Sequence, residues 1–344
     1  MYEAREQETI LTELQTASAV DASKIEGTFE YDVLSSNSIE FAKVEVELEQ
    51  LCKAAFADTS WGDYLTMRAE EAGVIRKAAV KAIGTVTVSG NGALPAGSTF
   101  ATSDGTQFVT DAAVVIAKSG DVAVTAVTAG STGNTAAGTI TLIPMSIPGI
   151  TAVANAAATH DGYDEETDTD LLSRYLLHVR TPGTSGNKYH YIEWATSVDG
   201  VGTAKVIPLW AGPGTVKVII VDSNFETASD TLIKNVAAYI ESVRPIGATV
   251  TVVSAAPKAI SISAAIVGSI DENTFKAELQ SYLMTLEKQA LNSTSSYISI
   301  AKLGSFILTA GASDYSDLLL NGEAKNVTLS AEELPSIGEV MFHV

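Results

Sequence analysis

The chain has 344 residues, a length that allows several domains, each with its own buried core. Acidic residues number 41 against 21 basic ones, which gives a formal net charge of −20. No cluster of Lys or Arg exceeds the pair Arg76-Lys77, so nucleic acid and anionic lipid are not expected partners. No run approaches the roughly 18 apolar residues of a membrane span, and the first residues lack the regions of a signal peptide. We therefore expect synthesis in the cytoplasm and no membrane contact.

Residues 1–83 show the spacing of amphipathic helices. The two predicted apolar stripes are Phe41, Val44, Leu48 and Leu51 on one helix and Leu65, Ala69, Ala72 and Ile75 on the next. The second helix is expected to continue to Ile83, with a kink or a break at Gly73. Cys52, the single cysteine, falls on the first stripe and is predicted to be a buried, unreactive thiol. The stripes offer more apolar surface than two helices can bury against each other, so we expect them to bind a partner.

Residues 84–159 change in composition to Thr, Val, Ala and Gly, with few charges. Alternation over residues 85–88 precedes Ser89-Gly90-Asn91-Gly92, which predicts a hairpin turn. A second turn is predicted at Ser119-Gly120-Asp121, between two short apolar runs. Short strands at regular spacing indicate a small antiparallel sandwich or barrel. Because edge strands usually carry protective charge, we expect neighbouring subunits to cover this domain.

From residue 160 the sequence predicts an α/β domain that extends to residue 256. Thr167 and Asp170 fit a capping box at the start of a helix that ends near residue 179. The next helix is expected to begin near Asn187 and to place Trp194 in the core. These two helices precede the strands of the domain.

A strand, a helix and a second strand follow within the same domain. Residues 216–221 form an apolar run typical of a central strand, Ser229 is a predicted helix N-cap, and residues 250–253 return as a strand. The predicted buried face of the helix consists of Leu232, Val236, Tyr239, Ile240 and Val243. This order predicts a βαβ unit with parallel strands.

The last part, residues 257–344, repeats the alternation of strands and helices more loosely. Strands are predicted over residues 260–267, 297–300, 327–329 and 340–342, and helices over 273–288 and 303–309. The fold class is therefore a multidomain α+β protein: N-terminal helices (1–83), a small antiparallel β domain (84–159), a central α/β domain (160–256) and a C-terminal α+β domain (257–344).

Few residues form patterns typical of metal binding, phosphate binding or catalysis. Alternate carboxylates at Asp164, Glu166, Asp168 and Asp170 resemble a calcium loop, but the mid-loop glycine is absent and a helix start explains them. Gly212-Pro213-Gly214-Thr215 lacks the lysine of a phosphate loop and leads into a strand. The four histidines show no metal-ligand spacing. We expect no metal, no cofactor, no small-molecule substrate and no enzymatic activity.

The order of the turn residues, helix ends and tryptophan after residue 160 resembles that of a known family. Its marks are Arg180 with Pro182, Trp194, Gly200, Pro208, Gly212 with Gly214, and the run Arg244-Pro245-x-Gly247. In this order they resemble the baseplate J-like family of contractile phage tails and related particles. The glycines are expected to have positive φ or a close backbone approach, and Pro245 to end a helix. Arg244, at that helix end, is expected to favour the helix dipole and to pair with a carboxylate.

The resemblance implies a structural subunit of the baseplate wedge in a phage, a prophage or a tailocin. Its expected partners are another wedge subunit through the N-terminal helices, copies of itself in a ring, and sheath and hub proteins. It also implies a rearrangement of these interfaces on contraction, and a place in the virion or tailocin baseplate after assembly in the host cytoplasm. The alternative interpretation of the charge-poor β segment is an adhesin or tail-fibre module, and an acidic α/β enzyme is a third.

Overall fold

The computed structural model describes residues 2–181, 183–290 and 296–343. The helices within these ranges are α1 (Gln7–Ala17), α2 (Phe29–Ala54), α3 (Gly62–Glu70), α4 (Asp168–Arg180), α5 (Lys188–Ser197), α6 (Asp230–Val243), α7 (Glu272–Ala290) and α8 (Ile300–Thr309). The strands are β1 (Ile83–Leu94), β2 (Thr99–Thr102), β3 (Gln107–Thr110), β4 (Val114–Ala126), β5 (Ile140–Leu142), β6 (Ile150–Ala154), β7 (Val201–Pro208), β8 (Thr215–Asp222), β9 (Thr249–Ser254), β10 (Ala256–Gly268), β11 (Ser296–Ile298), β12 (Ala312–Leu320), β13 (Val327–Leu329) and β14 (Glu333–His343). This mixture of helices and sheets confirms the predicted α+β class.

The chain forms two compact units. One runs to Arg76 and resumes with Glu166–Val179, so that α4 belongs with the N-terminal helices; the other comprises Lys77–Glu165 and the chain from Arg180 onward. The core of the first unit is formed by Leu65 and Ala69 of α3, Val74, and Leu171 of α4. The predicted domain boundaries near residues 83, 159 and 256 stay predictions.

The helix predicted through Ile83 is wrong beyond Glu70. Gly73 has a φ of +81° and closes a helix end in which the Val74 N–H donates to the Ala69 carbonyl at 3.0 Å. The Gly73 N–H donates to the Glu70 carbonyl at 2.8 Å, which completes a Schellman motif. The glycine therefore ends the helix, and Ala72 and Ile75 lie in a turn and an extended segment.

The β domain is one six-stranded antiparallel sheet in the order β5-β2-β3-β4-β1-β6. Two predicted turns are wrong, because β1 and β4 pass straight through them and pair from Ile83↔Thr125 to Leu94↔Val114. Gly90 is a glycine for a different reason, because another segment of the chain passes close to β1 at this point. A Cβ at Gly90 would lie 2.1 Å from the Gly149 carbonyl oxygen. The glycines thus permit a close backbone approach within a strand.

The α/β region contains the predicted βαβ unit. Strands β8 and β9 are parallel with Thr215 opposite Thr249, and β7 adds to β8 in the antiparallel direction. The side chain of Ser229 caps α6 as predicted, accepting from the Leu232 N–H at 3.1 Å. The predicted buried face is confirmed for Leu232, Val236 and Ile240, whereas Tyr239 and Val243 are exposed.

The C-terminal region has a three-stranded sheet in the order β12-β10-β14, in which β10 and β14 are parallel. Helices α7 and α8 pack on this sheet. Phe275, Leu279, Leu303 and Ile307 are among the residues of the buried core. Strand β12 is absent from the sequence prediction because polar and acidic residues alternate with its few apolar ones.

Candidate functional site

A row of exposed apolar residues runs along α2. Phe41 is 53% exposed, Val44 51%, Leu48 45% and Leu51 65%. We call these four residues the α2 stripe. Thr28 begins the helix as its N-cap, with its hydroxyl accepting from the Tyr31 N–H. The predicted stripe therefore exists, and its side chains lie in solvent.

A different side of α2 contacts α1, and the residues that α2 buries are polar. Ser38 and Glu45 are buried, and Gln7 Nε2 donates to Ser38 Oγ at 2.8 Å. Arg5 binds Glu45 through its guanidinium and its main-chain N–H. These hydrogen bonds, from the side chain first and the main chain second, lower the pKa of Glu45 to about 2. Polar groups of α2 thus help to hold α1, while the α2 stripe is left uncovered.

The second predicted partner-binding set is divided by the structure. Leu65 and Ala69 are buried in the core of their own unit, Ala72 is half-buried and Ile75 is exposed. Because α3 ends before Ala72, these residues do not form one helical face. Cys52, predicted to be buried, is partly exposed.

The acidic segment 164–170 has its carboxylates bound by protein donors. Asp164 accepts from the Ser131 N–H at 2.8 Å and hydroxyl at 2.7 Å. Glu166 binds Arg174, with the Arg174 Nε 2.6 Å from Oε1. Thr167 and Asp170 form one half of the predicted capping box: the Asp170 N–H donates to Thr167 Oγ1 at 3.2 Å, and the Thr167 hydroxyl donates to Asp170 Oδ2 at 2.8 Å. Each of these carboxylates has a structural role in its own unit.

Asp168 has the same kind of role. Its carboxylate accepts from the Gly62 N–H at 2.8 Å and from Arg76 Nη2 at 2.6 Å. The main-chain donor and then Arg76 hold its pKa below the usual value. Within residues 2–181, 183–290 and 296–343, no group of three or more His, Cys, Asp or Glu side chains is placed to hold a metal ion.

The glycines of the predicted motif have identifiable backbone roles. Gly212, Gly214 and Gly247 all have positive φ, as expected from their positions in turns. Gly200 also has positive φ (+89°), and a Cβ there would lie 2.5 Å from the Tyr163 ring carbon Cε2. Gly200 is thus required both by its conformation and by the ring beside it.

Two other motif residues, Arg244 and Pro245, stabilise the end of α6 and the loops next to it. Arg244 pairs with Glu241, as expected, and Nη1 donates to the Ala248 carbonyl at 2.5 Å. Pro245 follows the end of α6 and packs against Gly186, where a Cβ would lie 2.4 Å from Pro245 Cγ.

Three further motif residues lie at the surface or close to it. Trp194, predicted as core, is half-buried, and its ring centroid lies 4.0 Å from that of His190. Pro208 ends β7 opposite Val216, and Arg180 is exposed at the end of α4. Pro182 lies outside the described residues.

A buried acidic group was missed by the sequence analysis. Asp222, at the end of β8, is 7% exposed and accepts from the Asn224 and Glu226 main-chain N–H groups. Burial raises its pKa to about 6, with further contributions from the Glu226 and Asp161 carboxylates. Asp161 accepts from the hydroxyls of Tyr163 and Ser229, each at 3.0 Å. The one sequence signal was an aspartate directly after a buried strand.

Comparison with known proteins identifies the class. Three family models match along the chain: the Baseplate J-like protein barrel domain over residues 85–162, the Baseplate J-like central domain over 183–254, and the Baseplate J-like protein C-terminal domain over 260–343. The chain belongs to the Baseplate J-like family, whose members are structural baseplate proteins of phage tails and phage-like particles.

The relatives of the chain include prophage and phage proteins. The protein XkdT of the phage-like element PBSX of Bacillus subtilis is 33% identical, over 99% of this chain and 98% of its own. The baseplate protein gp47 of Escherichia phage Mu is 37% identical over 49% of each chain. A chain in the solved baseplate of the anti-feeding prophage aligns with a TM-score of 0.42 and 9% identity, over 96% of this chain and 90% of that one. No helix within the described residues is long and apolar enough to span a bilayer.

Proposed function

We propose that the protein is a structural subunit of the baseplate wedge in a contractile phage tail or phage-tail-like particle. In this role it joins a second wedge subunit, contacts copies of itself in a ring, and links the sheath to the tube hub and the receptor-binding fibres. It has no catalytic activity, metal or cofactor of its own. Assembly takes place in the host cytoplasm, and contraction rearranges contacts between rigid domains.

The observation that supports this proposal is the exposed α2 stripe. A helix that buries polar groups against α1 and exposes four large apolar side chains has the opposite of the pattern expected for a self-sufficient helix pair. Apolar rows of this kind mark protein interaction sites. Since the family is one of baseplate proteins, the occupant we propose is a helix of another wedge subunit.

The test is a paired set of variants in the particle-producing strain. Leu48→Asp with Leu51→Asp adds two charges to the stripe and should abolish wedge assembly, because burial of each unpaired aspartate costs several kcal/mol. Ile39→Asp with Val46→Asp is the matched control, since both residues are exposed apolar residues on another side of α2. Electron microscopy of induced particles should show baseplates only with the control.

One further measurement makes the result specific to assembly. Circular dichroism of the purified variants should show unchanged helix content, because the substituted side chains lie in solvent. Contractile particles formed at the normal yield by the Leu48/Leu51 variant would contradict the proposal, and the attachment role would then pass to another part of the chain.

A further inference from the structure

Residues 160–163 follow the β domain in the chain and are bound by both the β domain and the α/β region. We call them the connecting segment. From the β domain, Asn134 accepts the Gly162 N–H at 2.9 Å, and its Nδ2 donates to the Gly162 carbonyl at 2.8 Å. From the α/β region, Asn224 Nδ2 donates to the same carbonyl at 3.1 Å. One peptide carbonyl is thus held from both sides.

Two side chains of the connecting segment contact the α/β region. Tyr163 is buried, and its ring lies against Gly200. Asp161 accepts from the Tyr163 hydroxyl at Oδ1 and from the Ser229 hydroxyl at Oδ2, each at 3.0 Å. The φ of Asp161 is +60°, which is uncommon for a residue with a side chain, so these contacts also fix an unusual backbone conformation.

The loop of residues 222–229 supplies two of these contacts and carries the buried carboxylate of Asp222. Asp222 Oδ1 accepts from the Asn224 N–H at 2.9 Å and from the Glu226 N–H at 2.7 Å. The Asp222 N–H donates to the Glu226 carbonyl at 3.1 Å. The carboxylate therefore stabilises the turn from which Asn224 reaches the connecting segment.

Acidic groups face Asp222 from two elements. Glu226 lies on the same loop, and Asp161 lies on the connecting segment. Burial, followed by the charges of Glu226 and Asp161, raises the pKa of Asp222 to about 6. Burial and the charges of Asp222 and Asp161 also raise the pKa of Tyr163, so its hydroxyl keeps the proton that it donates to Asp161.

Two basic side chains lie beside this cluster. Lys77 Nζ donates to the Val201 carbonyl at 2.8 Å, and Val201 is opposite Asp222 in the pairing of β7 with β8. His160 Nδ1 lies 3.0 Å from Asp161 Oδ2, with its own side chain half-exposed. The pKa of Asp222 is raised with both bases in place, so its ionised form is disfavoured in this position.

We propose that the connecting segment and the loop of residues 222–229 form a pH-dependent lock between the β domain and the α/β region, closed by the protonated carboxyl of Asp222. Ionised Asp222 is buried beside two other carboxylates, so opening of the loop, which returns it to water, becomes more favourable as the pH rises. The stability of the closed form is fully present below the ordinary aspartate pKa and is lost as the pH rises through about 6. The lock is therefore tight in acid and looser at neutral pH.

Amide hydrogen exchange of the full chain, corrected for the intrinsic rate at each pH, measures this opening. Between about pH 5 and pH 8, protection of residues 222–226 and of Gly162 and Tyr163 should fall together by about tenfold. Asp222→Asn keeps an acceptor for the two main-chain N–H groups and removes the charge, so its protection should not change with pH. Asp199→Asn, which removes an exposed carboxylate of the same unit, should behave as the wild type.

Two further variants test the neighbours of Asp222. Asp161→Asn keeps an acceptor for the Tyr163 and Ser229 hydroxyls and removes a facing charge, so the fall in protection should be smaller than in the wild type. His160→Gln removes the histidine of the cluster, the side-chain type whose charge changes near neutral pH, and should leave the fall intact. A full fall in Asp161→Asn, or none in His160→Gln, would overturn the proposal.

Three other results would also overturn it. The first is constant protection in the wild type, or an equal fall in Asp222→Asn. The second is a fall in residues 222–226 without one at Gly162 and Tyr163, since the loop would then open alone and leave the two parts joined. The third is an equal fall in α3, which lies in the other compact unit, because that would mark a general loss of stability.

Discussion

Arg5 Nε lies 3.0 Å from Glu45 Oε1, and the Arg5 main-chain N–H donates to the other carboxylate oxygen at 2.9 Å. This pair joins the segment before α1 to the middle of α2. The side of α2 that carries Glu45 is thereby covered by α1, and the α2 stripe is left in solvent. This ion pair is thus part of the contact that covers one side of α2 and leaves the α2 stripe uncovered.

The first prediction concerns this ion pair. Arg5→Ala removes the donors that hold Glu45 and should loosen α1, because the Gln7–Ser38 hydrogen bond and the buried Ile10 are then left to hold this helix. Amide hydrogen exchange of α1 should become at least about tenfold faster, with α3 and α4 unchanged. Arg5→Lys keeps the charge but not the fork of donors and should show an intermediate rate. Unchanged protection of α1 in Arg5→Ala would contradict the assignment.

The second prediction follows from the buried Asp222. Its folded-state pKa is raised to about 6, so the folded chain binds this proton more tightly than the unfolded chain. The resulting stability is fully present below the ordinary aspartate pKa and is lost as the pH rises through about 6. Asp222→Asn keeps an acceptor for the two main-chain N–H groups and removes the charge. Relative to wild type, its free energy of unfolding should increase by roughly 2–4 kcal/mol between pH 4 and pH 8.

Urea denaturation across this pH range measures the difference between the two proteins. Asp199→Asn is the control, since it removes an exposed carboxylate from the same unit. A difference between Asp222→Asn and wild type that stays constant with pH would show that the carboxylate is ionised in the folded state throughout the range.

The third prediction separates backbone strain from crowding at two motif glycines. Gly212→Ala introduces a side chain at a φ of +111° with no atom within 4 Å, so it should cost about 1–2 kcal/mol of stability for the backbone alone. Gly200→Ala adds a clash with Tyr163 and should cost a further 1–3 kcal/mol or so, the usual range for overpacking. Urea denaturation measures the free energy of unfolding of both variants. Equal losses in Gly212→Ala and Gly200→Ala would show that the Tyr163 ring moves aside freely.

The sequence predicted best where one local rule decides the structure. Ser229 caps α6 as predicted, and α5 begins next to Asn187 as predicted, because a side-chain oxygen at a helix start accepts from a free main-chain N–H. The βαβ unit around α6 was predictable because its strands are apolar and its helix is amphipathic. The α2 stripe was visible for the same reason, since helical spacing survives whether or not the face is covered.

Two of the errors arose where distant segments meet. Gly90 was interpreted as a turn residue, yet its role is to admit the backbone of Gly149 beside a continuous strand. The raised pKa of Asp222 depends on its burial and on Asp161, some sixty residues away in sequence. Neither the contact of Gly90 with Gly149 nor that of Asp222 with Asp161 produces a periodic pattern in the sequence. Rules based on residue spacing therefore cannot predict them.

The last prediction concerns the β domain as an insertion. Ile83 and His160 exchange two main-chain hydrogen bonds, at 2.8 and 2.9 Å, and Val80 and Tyr163 are paired in the same way at 2.8 and 3.1 Å. The two ends of the intervening segment are therefore neighbours in an antiparallel ladder. A hydrogen-bonded pair of this kind is the closing pair of a two-residue hairpin, for which Asn-Gly is the preferred loop.

Replacing residues 84–159 by Asn-Gly should accordingly leave a chain that melts cooperatively. The replacement removes the hydrogen bonds from Ser131 to Asp164 and between Asn134 and Gly162, so a lower melting temperature is expected. The α/β and C-terminal sheets keep all their strand pairings. Calorimetry and circular dichroism of the shortened protein are the measurements. Aggregation with no cooperative transition would mean that the sheet of residues 83–154 is required for the rest to fold.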